Sequence, residues 1–149
     1  MAEDDFDRGL TERGVADADR AAEALNRAGV TATHALVSPA RRTRETWKRL
    51  SARLGELPVT DPMALYHASP EMLERAVAEQ LDQGAEAIML VGHNPGIGAL
   101  VHMLAGQAEA ASDLPYGWPT SALAAFDVAL DDKRLIANRR RLYFNPKES

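Results

Sequence analysis

The chain has 149 residues, 46% of them hydrophobic and 26% charged, with a formal net charge of −5. That length suits one domain, residues 1–149, burying roughly 68–70% of its unfolded surface. The acidic balance argues against a general nucleic-acid binder, and the lack of cysteine excludes disulfides, thiolate metal sites and cysteine nucleophiles. No run of about 18 apolar residues and no secretory leader pattern occur, so a cytoplasmic protein with no membrane partner is expected.

The first ten residues are acidic and irregular and read as an exposed entry loop. A helix is predicted from Thr11, as N-cap, to just before Gly29. Val15, Ala18, Ala22 and Leu25 form its apolar stripe, and Glu12, Arg13, Asp17, Asp19, Arg20 and Glu23 its solvent face. Thr33 to Val37 reads as a strand. Ser38-Pro39 then suits a helix start, serine as cap and proline in the first position, with the helix running on towards Leu54. Arg41, Arg42 and Arg44 on its first turns run against the helix dipole, which disfavours cations there by a few tenths to about 1 kcal/mol each at exposed sites. A nearby anion would explain them; Glu45 and water are the plainer explanation for any single one.

An extended piece, Leu57 to Thr60, leads to Leu65-Tyr66-His67-Ala68, and Ser69-Pro70-Glu71 opens a helix with its stripe on Leu73, Ala76, Val77 and Leu81. Ile88-Met89-Leu90-Val91 reads as a strand buried on both faces. Gly92-His93-Asn94-Pro95-Gly96 follows, and then a helix from Ile97 to Ala105. His93 should therefore stand at the carboxyl end of a buried strand, beside a helix amino terminus whose free N–H groups attract anions. Residues 106–120 form a long loop. Ser121–Leu130 and Arg134–Phe144 read as a hairpin, with Arg139, Arg140 and Arg141 as an exposed edge; Leu123, Ala125 and Val128 do not alternate cleanly. The alternation of helices and strands argues for a three-layer α/β/α domain.

Six pieces resemble, in order and spacing, the histidine phosphatase superfamily and within it the SixA-type phosphohistidine phosphatases. They are Asp7–Gly14, Ser38–Thr46, Leu65–Glu71, Gly92–Gly96, Pro119-Thr120-Ser121-Ala122, and Pro146-Lys147. The resemblance implies a phosphoglycerate-mutase-like sandwich and a two-step phosphoryl transfer through a histidine; no cofactor is expected, and no two histidines share a metal-ligand spacing on one element. It places the second pocket arginine on Arg42 and the second pocket histidine on His93, both as catalytic residues; His93, if protonated, would donate to a phosphoryl oxygen. Asn94 and Thr120 join Arg42 and His93 as expected substrate-binding residues.

The family's first strand ends in Arg-His-Gly and carries the nucleophile, and nothing before Asp5 matches it. The expectation is a truncated, inactive chain whose sheet has a gap lined by backbone near Val37 and Val91. Three readings stay open: a SixA-type phosphatase acting on phosphorylated protein, a noncatalytic domain that binds phosphorylated ligands, and a phosphatase of small phosphate esters. His67, near the pocket rim, is a weaker candidate for substrate contact. His34 and His102 read as structural or exposed, and Glu71 as a first-turn residue favoured by the helix dipole. The oligomeric state is not legible.

Overall fold

A computed structural model describes residues 5–115, 117–119 and 121–148. Four helices and five strands follow one another as α1 (Glu12–Ala28), β1 (His34–Val37), α2 (Arg41–Leu54), β2 (Val59–Thr60), α3 (Pro70–Asp82), β3 (Ile88–Val91), α4 (Gly96–Gln107), β4 (Leu123–Asp131) and β5 (Arg134–Phe144). Single 3-10 turns cover Asp5–Asp7, Met63–Leu65 and Pro146–Glu148.

The helix ends follow local chemistry. Thr11 Oγ accepts the Gly14 N–H at 3.0 Å, and Gly29 closes α1 in the left-handed conformation at φ 70°. Ser69 caps α3 through the Met72 N–H, with Pro70 in the first turn. Ser38 departs from the expectation. Helix α2 starts at Arg41 with Ala40 in the cap position and no side-chain cap bond, leaving the Ser38 hydroxyl for another partner.

The parallel sheet has the order β2-β1-β3, with Val37 paired to Val91. Strands β4 and β5 form an antiparallel hairpin. Two apolar clusters show how these pieces stack. Ile88 and Leu90 of β3, Phe126, Val128 and Leu130 of β4, and Leu135 and Ala137 of β5 pack with α3 and α4 through Leu73, Val77, Leu100 and Leu104. Met89 and Val91, with Leu123, Leu142 and Phe144, pack with α1 and α2 through Ala21, Ala22, Leu25 and Leu50. Alternate residues thus face opposite helix pairs, which is a three-layer α/β/α arrangement. The uneven pattern in β4 has a cause: register shifts fall between Ala125 and Phe126 and between Asp127 and Val128, and each reverses the side that faces a given helix pair.

Other expectations are corrected. Val37 and Val91 are partners, so no gap lies between them. Among the described residues, the edge of β3 opposite β1 has no strand paired to it. A cavity of about 330 Å³ lies there, lined by Met89, Leu90 and Val91, by Ala18, Ala21 and Leu50, and by Leu123 at the start of β4. For the same reason β3 is half-buried along its length and not fully buried on both faces.

Asp17, placed on the solvent face of α1, is buried at 1% exposure. Burial alone would raise its carboxyl, but hydrogen bonds from Lys147 and Arg13 hold it below the usual value. Lys147 Nζ donates to it at 2.9 Å, which fastens the end of the chain to α1. Of the three arginines expected on an exposed edge, Arg140 is drawn inward. It donates to the Ala110 carbonyl and to both oxygens of Asp113, tying the segment just after α4 to β5. Arg141 pairs with Asp127 across the hairpin.

Candidate functional site

The three arginines at the start of α2 have different fates. Arg41 Nε donates to Glu45 at 2.8 Å, and Arg44 Nε donates to the Pro39 carbonyl at 2.9 Å. Arg42 turns the other way, to the carboxyl end of the parallel sheet. One of its terminal nitrogens donates to the Asp5 carbonyl at 2.9 Å. The other reaches the Asp5 carboxylate at 3.0 Å and His93 Nδ1 at 3.0 Å.

A guanidinium has only donors, so His93 Nδ1 is the acceptor in that contact. The ring proton is therefore on Nε2, which donates to Ser38 Oγ at 2.6 Å. This is the partner that Ser38 takes in place of a helix cap. Burial first, then the Arg42 cation and His67, push the His93 imidazole down to about 4. His93 is thus neutral near pH 7 with both nitrogens engaged, and its proton faces Ser38. The expected donation to a phosphoryl oxygen requires the protonated ring, which His93 does not hold near pH 7 in this arrangement.

Around Arg42 and His93 stands a group that sequence reasoning mostly missed. Tyr66 Oη donates to Asp5 Oδ2 at 2.8 Å, and His67 Nε2 lies 3.4 Å from the same oxygen. The Tyr66 and His67 rings stack at 4.1 Å, and both meet the His93 ring edge to face, at 5.4 and 5.6 Å. His67 holds a left-handed backbone at φ 58°, uncommon for a residue with a side chain and frequent at ligand sites. The short Leu65–Ala68 segment is seated by Gly96: a Cβ there would collide with the Ala68 carbonyl. Glycine is needed at the start of α4 for this close approach.

Asp5 is the anion at the centre. Hydrogen bonds from Tyr66 and Arg8, then from Arg42, drop its carboxyl far below the usual carboxylate range. Nothing in the acidic opening residues announced this placement. Tyr66 carried a signal in its motif, Leu65-Tyr66-His67-Ala68, without an assigned role.

Asn94 lines the same cavity as Arg42 and His93, but its polar groups have partners of their own. Asn94 Nδ2 donates to the Trp118 carbonyl at 2.7 Å and its Oδ1 accepts the Gly98 N–H at 3.2 Å. Its polar groups thus join Trp118 to the start of α4. The N–H groups of Ile97, Gly98 and Ala99 are bonded to His93, Asn94 and Pro95, so three of the expected free donors at that helix start are already taken. Thr120 lies outside the described residues. His34 pairs with Thr33 at the far end of β1. His102, expected exposed, is part-buried, with Nε2 2.9 Å from the Pro115 carbonyl. Glu71 sits exposed on the first turn of α3. Among the described residues no group of three His, Asp or Glu side chains is placed to hold a metal ion, and no helix is long and apolar enough to cross a membrane.

Comparison with known proteins points the same way as the motifs. The family profile of the histidine phosphatase superfamily (branch 1) matches residues 3–66. An uncharacterized protein of Mycobacterium leprae is 31% identical over 128 residues, covering 84% of this chain and 77% of its own. A crystal structure proposed to be the phosphohistidine phosphatase SixA of Agrobacterium tumefaciens is 32% identical, with a TM-score of 0.75 over 85% of this chain and 82% of that one. The structure of a protein histidine phosphatase SixA complexed with tungstate superposes with a TM-score of 0.77 over 99% of this chain and 90% of that one. At 22% identity it speaks for the fold alone. An identity above 30% over most of both chains, with motifs in one order and a shared three-layer fold, is more than fold likeness, and the chain belongs to the histidine phosphatase superfamily.

Proposed function

We propose that the Arg42–His93 site binds the phosphoryl group of a phosphorylated histidine on a protein, as the electrophile-holding part of a SixA-type phosphohistidine phosphatase. The observation that carries the reading is the convergence of Arg42 and Tyr66 on a single carboxylate oxygen of Asp5. Phosphoryl transfer asks a protein mainly for fixed donors around the equatorial oxygens. A planar guanidinium meets that need with two parallel bonds. His93, neutral and held by Ser38, positions the guanidinium by accepting from it. A phosphohistidine has an imidazole leaving group, so the site needs no dedicated carboxylic acid.

The surroundings favour a protein substrate over a small phosphate ester. Between β2 and α3 the chain makes a single 3-10 turn, with no inserted segment over the cradle, and the His67 side chain is 58% exposed. A phosphorylated loop of another protein can reach such a rim.

A second reading, a noncatalytic phospho-ligand-binding domain, is favoured by one observation. Both His93 nitrogens are engaged, and His67 Nε2 faces the same Asp5 oxygen as Arg42 and Tyr66. No described histidine is therefore placed to attack a phosphorus atom held there. The 149-residue polypeptide is expected to bind phosphate and to release none from phosphohistidine or aryl phosphates above background. An assay of phosphate release, run beside a phosphate-binding titration, tests this. Robust turnover overturns it and makes His67 the first suspect. Binding without turnover supports the cradle, and Arg42→Ala should then weaken phosphate binding by at least about 100-fold, the loss of two charge-assisted bonds at about 1.5–3 kcal/mol each.

A further inference from the structure

We infer that Asp5 is an internal ligand of the anion cradle, an acidic latch that a phosphoryl group must displace, and that Tyr66 and His67 are two further anion-contacting residues that the latch reveals. The inference rests on the reading of the Arg42 site as a phosphoryl site and adds to it a competitor within the chain.

Asp5 enters the site on both its carbonyl and its carboxylate. Arg42 donates to the Asp5 carbonyl oxygen at 2.9 Å and to Oδ2 at 3.0 Å. The Tyr66 hydroxyl donates to the same Oδ2 at 2.8 Å, and His67 Nε2 lies 3.4 Å from it. Three side chains from two separate segments thus converge on one oxygen. The other carboxylate oxygen faces outward and meets Arg8 at 3.0 Å. A phosphoryl group brings more oxygens and more charge than a carboxylate, so it can use the same donors and add contacts of its own.

The segment that carries the latch is built to leave. Residues Asp5–Asp7 form a single 3-10 turn with no buried residue. The Phe6 ring meets Tyr66 edge to face at 5.1 Å, and Glu45 holds the backbone further on by accepting the Leu10 N–H at 2.8 Å. Asp5 can therefore swing out while Leu10 stays anchored. The apparent affinity for an anion is the intrinsic affinity reduced by the fraction of molecules whose cradle is free.

The test is a calorimetric titration of inorganic phosphate into the full 149-residue protein and its variants, each first shown folded by its melting curve. Asp5→Asn and Asp5→Ala should each tighten phosphate binding by roughly tenfold, the effect expected if the latch fills about nine cradles in ten. Asp7→Asn removes the same charge from the same turn outside the cradle and should change affinity by less than about twofold, the scale of a screened surface charge. In the Asp5→Asn background, Tyr66→Phe should weaken binding by roughly tenfold, the usual effect of one hydrogen bond to a charged group. An unchanged or weaker affinity in both Asp5 variants, or an equal gain in Asp7→Asn, overturns the latch. If Asp5→Asn with Arg42→Ala binds phosphate as well as Asp5→Asn alone, or if no variant binds phosphate, the phosphoryl-site reading itself fails.

Discussion

Arg42 and His93 form a pair in which the cation donates and the imidazole accepts, and this fixes how the site responds to pH. His93 titrates at about 4 in the folded protein and near 6.5 when unfolded. Between those values the unfolded chain binds the extra proton and the folded chain does not. Stability from this residue is therefore complete above about pH 6.5 and is lost as the pH falls towards 4, by about 3 kcal/mol in all. Urea denaturation at pH 7 and pH 5 should show the decline, and His93→Gln should flatten it. An identical slope in that variant would contradict the assignment. Phosphate should oppose the effect, since an anion beside the ring favours the protonated form.

At the scale of elements, the close seat of the Leu65–Ala68 segment on α4 decides where Tyr66 and His67 point. Gly96→Ala forces a methyl group against the Ala68 carbonyl. It is expected to cost about 1–3 kcal/mol, as overpacking does, and to weaken phosphate binding although it touches no anion. Stability loss with unchanged binding would show that the segment adjusts independently of α4. Asn-Pro-Gly was legible as a turn after a strand, yet the reason for the glycine was not, because it lies in a residue 28 positions earlier in the chain. The same holds for other departures. Thr11, Gly29 and Ser69 act on their own helices and could be read locally. Ser38 has a helix-cap pattern but finds His93, 55 positions away, and Asp17 finds Lys147, 130 away. Long-range polar pairs leave no periodic trace in a sequence. Arg42 and His93 were legible through family motifs and through their places at element ends; Asp5 had neither signal.

Across the whole molecule, the apolar layers close around α3 and α4 but leave the cavity between β3 and β4. Open strand edges beside it offer backbone groups that cost roughly 1–3 kcal/mol each when buried without partners, a large fraction of a typical stability of about 5–15 kcal/mol. The isolated polypeptide is expected to melt below about 65 °C, the upper end for ordinary domains, or to self-associate through these edges; a cooperative monomer melting well above that temperature would contradict the expectation. The central claim concerns the carboxyl end of β3, where the same cavity reaches Arg42 and His93 and where Arg42, Tyr66, His67 and His93 make one anion cradle. A crystal of this protein soaked in tungstate tests it most directly. The account predicts a single tungstate ion with oxygens within hydrogen-bonding distance of the Arg42 guanidinium and Tyr66 Oη, and Asp5 moved out of the cradle. Tungstate bound elsewhere, with the Asp5 carboxylate still on Arg42 and Tyr66, would contradict it.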